Sequence, residues 1–141
     1  MRCPSADAVS IDLEVPFCDV DALQIVWHGH YFRYLDLACT VLMRARGLDV
    51  PQLTSLGCRM VVVESQCRHI FPLYYGDVFR VSAWVVESLN RIKIAYLIRN
   101  LTRGRRSARA HTVLVTTSPD GNLLWETPSE IRQRLRAVPR E

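Results

Sequence analysis

The chain has 141 residues, 49% hydrophobic, 23% charged and 9% aromatic, which suits one domain over residues 1–141 with a core that needs no metal or disulfide staples, and excludes a disordered chain. No apolar run approaches the ~20 residues of a membrane helix, and the opening stretch MRCPSADAVSIDLEV lacks the apolar segment of a secretory signal, so neither a membrane span nor export is expected. The net charge of +4 is carried almost wholly by arginine, Lys93 being the only lysine; this suits an anionic ligand, but no aromatic-interleaved basic surface points to nucleic acid.

From Val9 to Phe17, Ile11, Leu13 and Val15 alternate with Asp12 and Glu14, the period of a half-buried strand, and Pro16 places it at an edge or ends it. A polar loop, Cys18 to Ala22, follows. From about His28 to Arg46 the period turns helical: Tyr31, Tyr34, Leu35, Ala38, Val41, Leu42 and Ala45 fall at i, i+3, i+4, i+7 spacing. Phe32, Leu37, Cys39 and Met43 make much of the other side apolar, so the helix is expected to be surrounded by protein, with Gly47 as its stop. Val50 to Gly57 reads as a short connector of about one helical turn.

Strands then dominate: Arg59–Phe71, Asp77–Ser88, Arg91–Asn100 and Arg109–Thr117, separated by Pro72 to Gly76, by Leu89-Asn90 and by an arginine-rich loop holding Arg103, Arg105 and Arg106. That loop reads either as a solvated hairpin or as a contact for phosphate or an acidic partner. Ser118 to Gly121 is a turn, Leu123 to Trp125 extends the last hairpin, and Pro128 to Ala137 is a terminal helix with Thr127 as N-cap. Short links make these strands antiparallel, and a sheet covering one long apolar helix must curl around it. The expected class is therefore α+β, with about five strands wrapped around one central helix. The cysteines at 3, 18, 39, 58 and 67 are odd in number and form no CxxC pair, so they read as reduced thiols of a cytoplasmic protein.

The chemistry-bearing stretch is Phe17 to Asp36. Two acids, Asp19 and Asp21, stand in the loop before the helix, and Trp27, His28, Gly29 and His30 open it. The first turn of a helix carries unpaired N–H groups and the positive end of the dipole, a place for the oxygen of a tetrahedral intermediate. A nearby carboxylate can attack a carbonyl there or direct water at it. A thiol leaving group, with a pKa of about 8.5, departs without a strong general acid, so these parts suit a thioester and require no metal or redox cofactor. His28 and His30 at a helix start lack a third ligand for zinc, so no metal is expected.

Asp19-Val20-Asp21-Ala22-Leu23-Gln24-Ile25-Val26-Trp27-His28-Gly29-His30-Tyr31 resembles the signature D-x-D-x-x-G-[IV]-V-[WY]-[HY]-x-x-Y of the 4-hydroxybenzoyl-CoA thioesterase-like acyl thioesterases of the hotdog fold. The later P-x-x-x-G-D element, Pro72 to Asp77, fits the same family, and the resemblance covers about nine-tenths of the chain. It implies hydrolysis of an acyl-CoA or acyl-carrier-protein thioester, with CoA or phosphopantetheine as part of the substrate and no separate cofactor. It implies Asp21 as nucleophile or general base and the backbone N–H of His28 as oxyanion donor. Two positions depart from the pattern: Gln24 replaces the usual glycine, where a positive φ is easy, and His30 replaces a frequent asparagine. The WHGHY variant also resembles thioesterases of aryl-polyene or related pigment pathways.

Each residue has a structural reading beside this one. Asp21 and Asp19 are also ordinary turn or capping acids. Trp27 and Tyr31 line the acyl pocket or simply fill the core, and His30 packs or sits at an interface. Asp36 pairs with Arg33 within the helix, or, by the resemblance, meets a polar group at the far end of the acyl pocket. Glu64 partners an arginine or reaches a site as a second carboxylate from a neighbouring subunit. Arg91 and Lys93, two apart on one strand face, hold a CoA or phosphopantetheine phosphate or form a solvated face. A curled sheet leaves an edge and a face uncovered, so a homodimer or homotetramer with sites at the subunit boundary is expected. The alternatives are a non-catalytic acyl-binding or carrier-docking module and a hotdog β-hydroxyacyl thioester dehydratase.

Overall fold

The structure, a computed structural model, describes residues 4–136. Its strands are β1 (Val9–Glu14), β2 (Arg59–His69), β3 (Val78–Glu87), β4 (Ile92–Asn100) and β5 (Arg105–Thr117), and its helices α1 (Tyr31–Ala45), α2 (Val50–Ser55) and α3 (Ser129–Arg136). Single 3-10 turns at Phe17–Asp19 and His28–His30 precede α1, the second running directly into it. The strands form one antiparallel sheet in the order β1-β3-β4-β5-β2, so β1 and β2 are its edges.

Alternation decides which side chains meet the helix. Phe79, Val81 and Ala83 of β3 and Ile92, Ile94, Tyr96 and Ile98 of β4 turn inward and pack with Tyr34, Leu35, Ala38 and Leu42 of α1. The sheet wraps the helix as the periodicity implies. The helix is not enclosed on all sides, however: Phe32, Leu37 and Val41 are exposed, because β1 and β3 supply most of its contacts and none of the described residues covers its other flank.

Several boundaries differ from expectation. β5 begins at Arg105, four residues early, because the turn is confined to Leu101–Gly104, with Gly104 in the left-handed region at φ +68°. Arg105 and Arg106 therefore stand on a strand. Leu123 makes only an isolated bridge to Thr117. α3 starts at Ser129, and the expected cap Thr127 keeps a buried hydroxyl without a hydrogen bond; the expected last helical residue, Ala137, lies outside the described residues, as does Cys3. The four described cysteines are free thiols. Among the described residues no helix is long and apolar enough to cross a membrane, and no group of three or more His, Cys, Asp or Glu is placed to hold a metal.

Candidate active site

The loop from Val15 to Trp27 is clamped by its own backbone. Val15 N–H donates to Asp77 O at 2.9 Å and Val26 N–H to Leu73 O at 2.9 Å, tying the loop to the Pro72–Asp77 element. Inside it, Asp21 N–H donates to Ile25 O (2.9 Å) and Gln24 N–H to Asp21 O (3.0 Å), closing a turn that holds Gln24 at φ +68°. The glycine-like backbone is thus kept with a glutamine in place. Leu23 N–H donates to Asp21 Oδ1 at 2.8 Å, which orients the carboxylate and leaves Oδ2 without a partner among the described residues.

Asp19 has a different task. Its buried carboxylate accepts from Arg33 and Tyr34 of α1, and its carbonyl accepts Trp27 N–H at 3.0 Å. Burial works to raise its pKa, but the Tyr34 and Arg33 hydrogen bonds outweigh it and hold the group below the ordinary carboxylate range. Asp19 is a brace between loop and helix. Asp77 is its counterpart in the other loop: its Oδ2 accepts from Asn100 (2.7 Å), Arg103 Nε (2.9 Å) and Tyr74 N–H (3.0 Å). Burial again opposes these bonds and loses, so Asp77 too is held low.

Braced this way, the loop brings Asp21 to the mouth of the helix. Trp27 N–H and His30 N–H are spent on Asp19 O and Trp27 O, which leaves the N–H groups of His28 and Gly29 without acceptors among the described residues. The Trp27 indole lies over Gly29 so closely that a Cβ there would overlap the ring. Beneath lies an open cavity of about 370 Å³ whose walls include Asp21, Val26, His28, Tyr31, His69 and Phe71. Burial pushes the Tyr31 phenol up to about 12, so it is a neutral hydroxyl.

His69 is the wall residue that the sequence reading missed. It meets the Tyr31 ring edge-on at 4.5 Å and the His28 ring at 6.4 Å. Partial burial and the His28 ring lower its pKa, so it is neutral at pH 7 and adds polarity to the cavity without charge. A bulge in β2 between Val62 and Glu64 explains the miss. Strict alternation from the inward Met60 sends Glu64 in and His69 out; one extra residue reverses both.

A model of the thioesterase-like superfamily matches residues 15–135. The chain belongs to that superfamily. A protein of Aquifex aeolicus (strain VF5), provisionally named an esterase, is 33% identical over 82 residues, 58% of this chain and 63% of that protein. YneP of Bacillus subtilis (strain 168), provisionally named an acyl-CoA thioesterase, is 27% identical over 85 residues, 60% of this chain and 61% of YneP. The matches thus span less than two thirds of either relative. A mutant 4-hydroxybenzoyl-CoA thioesterase complexed with 4-hydroxybenzoyl-CoA superposes with a TM-score of 0.82 at 20% identity, over 92% of this chain and 99% of that one. The fold is that of the hotdog thioesterases.

In this superfamily member the expected site residues separate into groups. Asp21, His28 and Tyr31 share the cavity. Trp27 stands outside it, half exposed, packed between the rings of His28 (5.2 Å) and His30 (5.4 Å). Asp36 does not pair with Arg33, whose guanidinium is taken by Asp19; it lines a separate groove of about 240 Å³ with Phe32, Leu35, Val62, Ser65 and Thr112. Glu64 is corrected to the convex face of the sheet, where it meets His111 Nε2 at 2.8 Å and no arginine. Arg91 sits in the β3–β4 turn, paired with Glu87 at 3.1 Å. Lys93 stands five residues along β4 from Ile98, the register of His69, or about 17 Å from the cavity end. Neither Arg91 nor Lys93 is brought to the cavity.

Proposed function

We propose that the chain hydrolyses an acyl thioester to a carboxylic acid and a thiol. The carrying observation is that Asp21, with its oriented carboxylate, and His28, whose N–H has no acceptor among the described residues, line one cavity. With the thioester carbonyl seated between them, Asp21 attacks the carbonyl carbon or draws a proton from an attacking water, and the His28 N–H takes up the charge growing on the oxygen. Collapse of the intermediate breaks the C–S bond. Water supplies hydroxide to the acyl group and a proton to the departing thiolate.

The substrate we assign is an aromatic acyl group carried on CoA or a carrier protein. The name of the YneP relative supports an acyl-CoA, and the ligand of the superposed thioesterase supports an aromatic acyl group. Free thiols fit a reducing, cytoplasmic setting. A second copy laid along β2 would close the open side of both the cavity and the Asp36 groove, so the active form we propose is at least a homodimer.

Thiol release from benzoyl-, 4-hydroxybenzoyl- and octanoyl-CoA tests the reading, beside Asp21→Asn. The expected result is turnover by the wild-type chain and a loss of about a hundredfold or more in kcat for the variant, with an unchanged melting temperature. Unchanged turnover in the variant removes Asp21 from the chemistry; affinity without turnover in the wild type leaves a binding module.

A further inference from the structure

The convex face of the sheet, opposite the cavity, carries a row of arginines at one end. By register Arg68 of β2 stands directly opposite Arg109 of β5, Arg106 of β5 opposite Arg99 of β4, and Arg99 opposite Arg80 of β3. Three cross-strand pairs of like charge, each about 5 Å apart at Cα, are an arrangement a sheet normally avoids because it costs stability. Of the acids on this face, Asp12 holds Arg80 at 2.7 Å at the end of the row, and Glu64 meets His111. Among the described residues Arg68, Arg99 and Arg109 have no carboxylate partner. At the Arg68–Arg109 pair the local rule is broken with no carboxylate partner among the described residues, and such a place is expected where a ligand supplies the missing charge.

The shape of the row selects the ligand. It crosses four neighbouring strands, β2, β5, β4 and β3, about 14 Å in all. It is broad and follows the sheet, which suits an acidic protein surface better than one compact phosphate. Its position selects the partner's attachment. Arg68 adjoins His69, a cavity wall, and Arg105, one residue before Arg106, stacks on the ring of Phe71, another wall, at 4.1 Å. A thioester arm tethered to a protein on the convex face reaches the cavity over this end of the sheet, past Arg105 and Phe71.

We propose that Arg68, Arg99, Arg106 and Arg109 form the docking surface for an acidic carrier protein that presents its acyl group as a phosphopantetheine thioester. The proposal rests on the hydrolase reading above and names the carrier.

The test compares one acyl group on three carriers, pantetheine, CoA and a bacterial fatty-acid acyl carrier protein, using the wild-type chain and the triple variant Arg68→Gln/Arg99→Gln/Arg109→Gln. The expected result is a fall of about thirtyfold in kcat/KM on the carrier protein, through KM, with less than about threefold change on CoA and none on pantetheine. The wild-type advantage on the carrier protein falls as salt rises. Relief of like-charge repulsion raises the melting temperature of the variant by about 2 °C, which separates lost docking from lost folding. An equal fall on CoA assigns the row to nucleotide phosphates and overturns the proposal, as does no change on any carrier or a wild type that spares the carrier protein. If no thioester is cleaved, the hydrolase reading fails by itself; the row is then judged by fluorescence anisotropy of labelled holo carrier protein. Binding lost in the triple variant supports the docking surface, and no binding by the wild type ends it.

Discussion

Gln24 occupies a backbone conformation that costs a side-chain-bearing residue about 1 kcal/mol, and two hydrogen bonds of the Asp21 turn hold it there. Gln24→Gly should recover that strain and raise the melting temperature by about 3 °C, with kcat/KM unchanged because residue 24 does not line the cavity; calorimetry showing a lower value would mean that the side chain itself supports the loop. Gly29 sits at the opposite extreme. A methyl group there collides with the Trp27 ring and must displace the helix mouth, so Gly29→Ala should lower kcat about tenfold, and Trp27→Ala in the same chain should restore most of it. A single defect that Trp27→Ala fails to relieve would place the fault elsewhere. The family resemblance of residues 19–31 singles out Asp21 and His28, which share a cavity, while spacing alone leaves Asp21 open to an ordinary turn role. Glu64 and His69 are not legible, because a one-residue bulge carries no composition signal yet reverses the facing of every residue after it.

At the level of elements, two buried carboxylates lock two loops. The Pro72–Asp77 motif is readable as a turn, but the residues that complete its latch, Asn100 and Arg103, come from the end of β4 and the turn after it, and only folding brings them there. Arg103, counted with a solvated loop in the sequence, is half of this latch and also stacks on Tyr74 at 4.1 Å. Removing the carboxylate strands Asn100 and a half-exposed arginine, so Asp77→Ala should cost about 2 kcal/mol. Asp19 and Asp77 both titrate lower folded than unfolded, so the unfolded chain binds protons first as the solution is acidified. Their stabilisation is complete above about pH 4 and is lost as pH falls through their folded-state values. Urea unfolding from pH 6 to pH 2 should therefore show a steep acid decline in the wild type and a shallower one in Asp77→Asn; parallel curves would remove Asp77 from the latch.

For the molecule as a whole, what the chain leaves uncovered is informative. The helical period predicts a helix apolar around most of its girth, and that pattern is correct, yet among the described residues only one side of α1 finds a partner. The rest of its apolar surface, Phe32, Leu37 and Val41, is exposed, and so are Val61, Val62 and Val63 of β2, an edge strand of 11 residues. A long edge with three consecutive exposed valines is what monomeric sheets avoid. Phe32 and Val62 line the same groove as Asp36, so a partner covering one covers the other and encloses an acid that one chain leaves open. The prediction is a dimer or larger assembly in sedimentation at micromolar concentration. Val63, 58% exposed at the β2 bulge, is the position to break it: a lysine there faces its own copy across the edge, and Val63→Lys should weaken association about a hundredfold, about 2.7 kcal/mol. Because His69 of the same edge strand walls the cavity, turnover per chain should fall with dilution in step with dissociation, and at lower dilution for the variant. A wild-type chain that sediments as a monomer and keeps full turnover would show that each site is complete by itself, and that the bare valines serve some other contact.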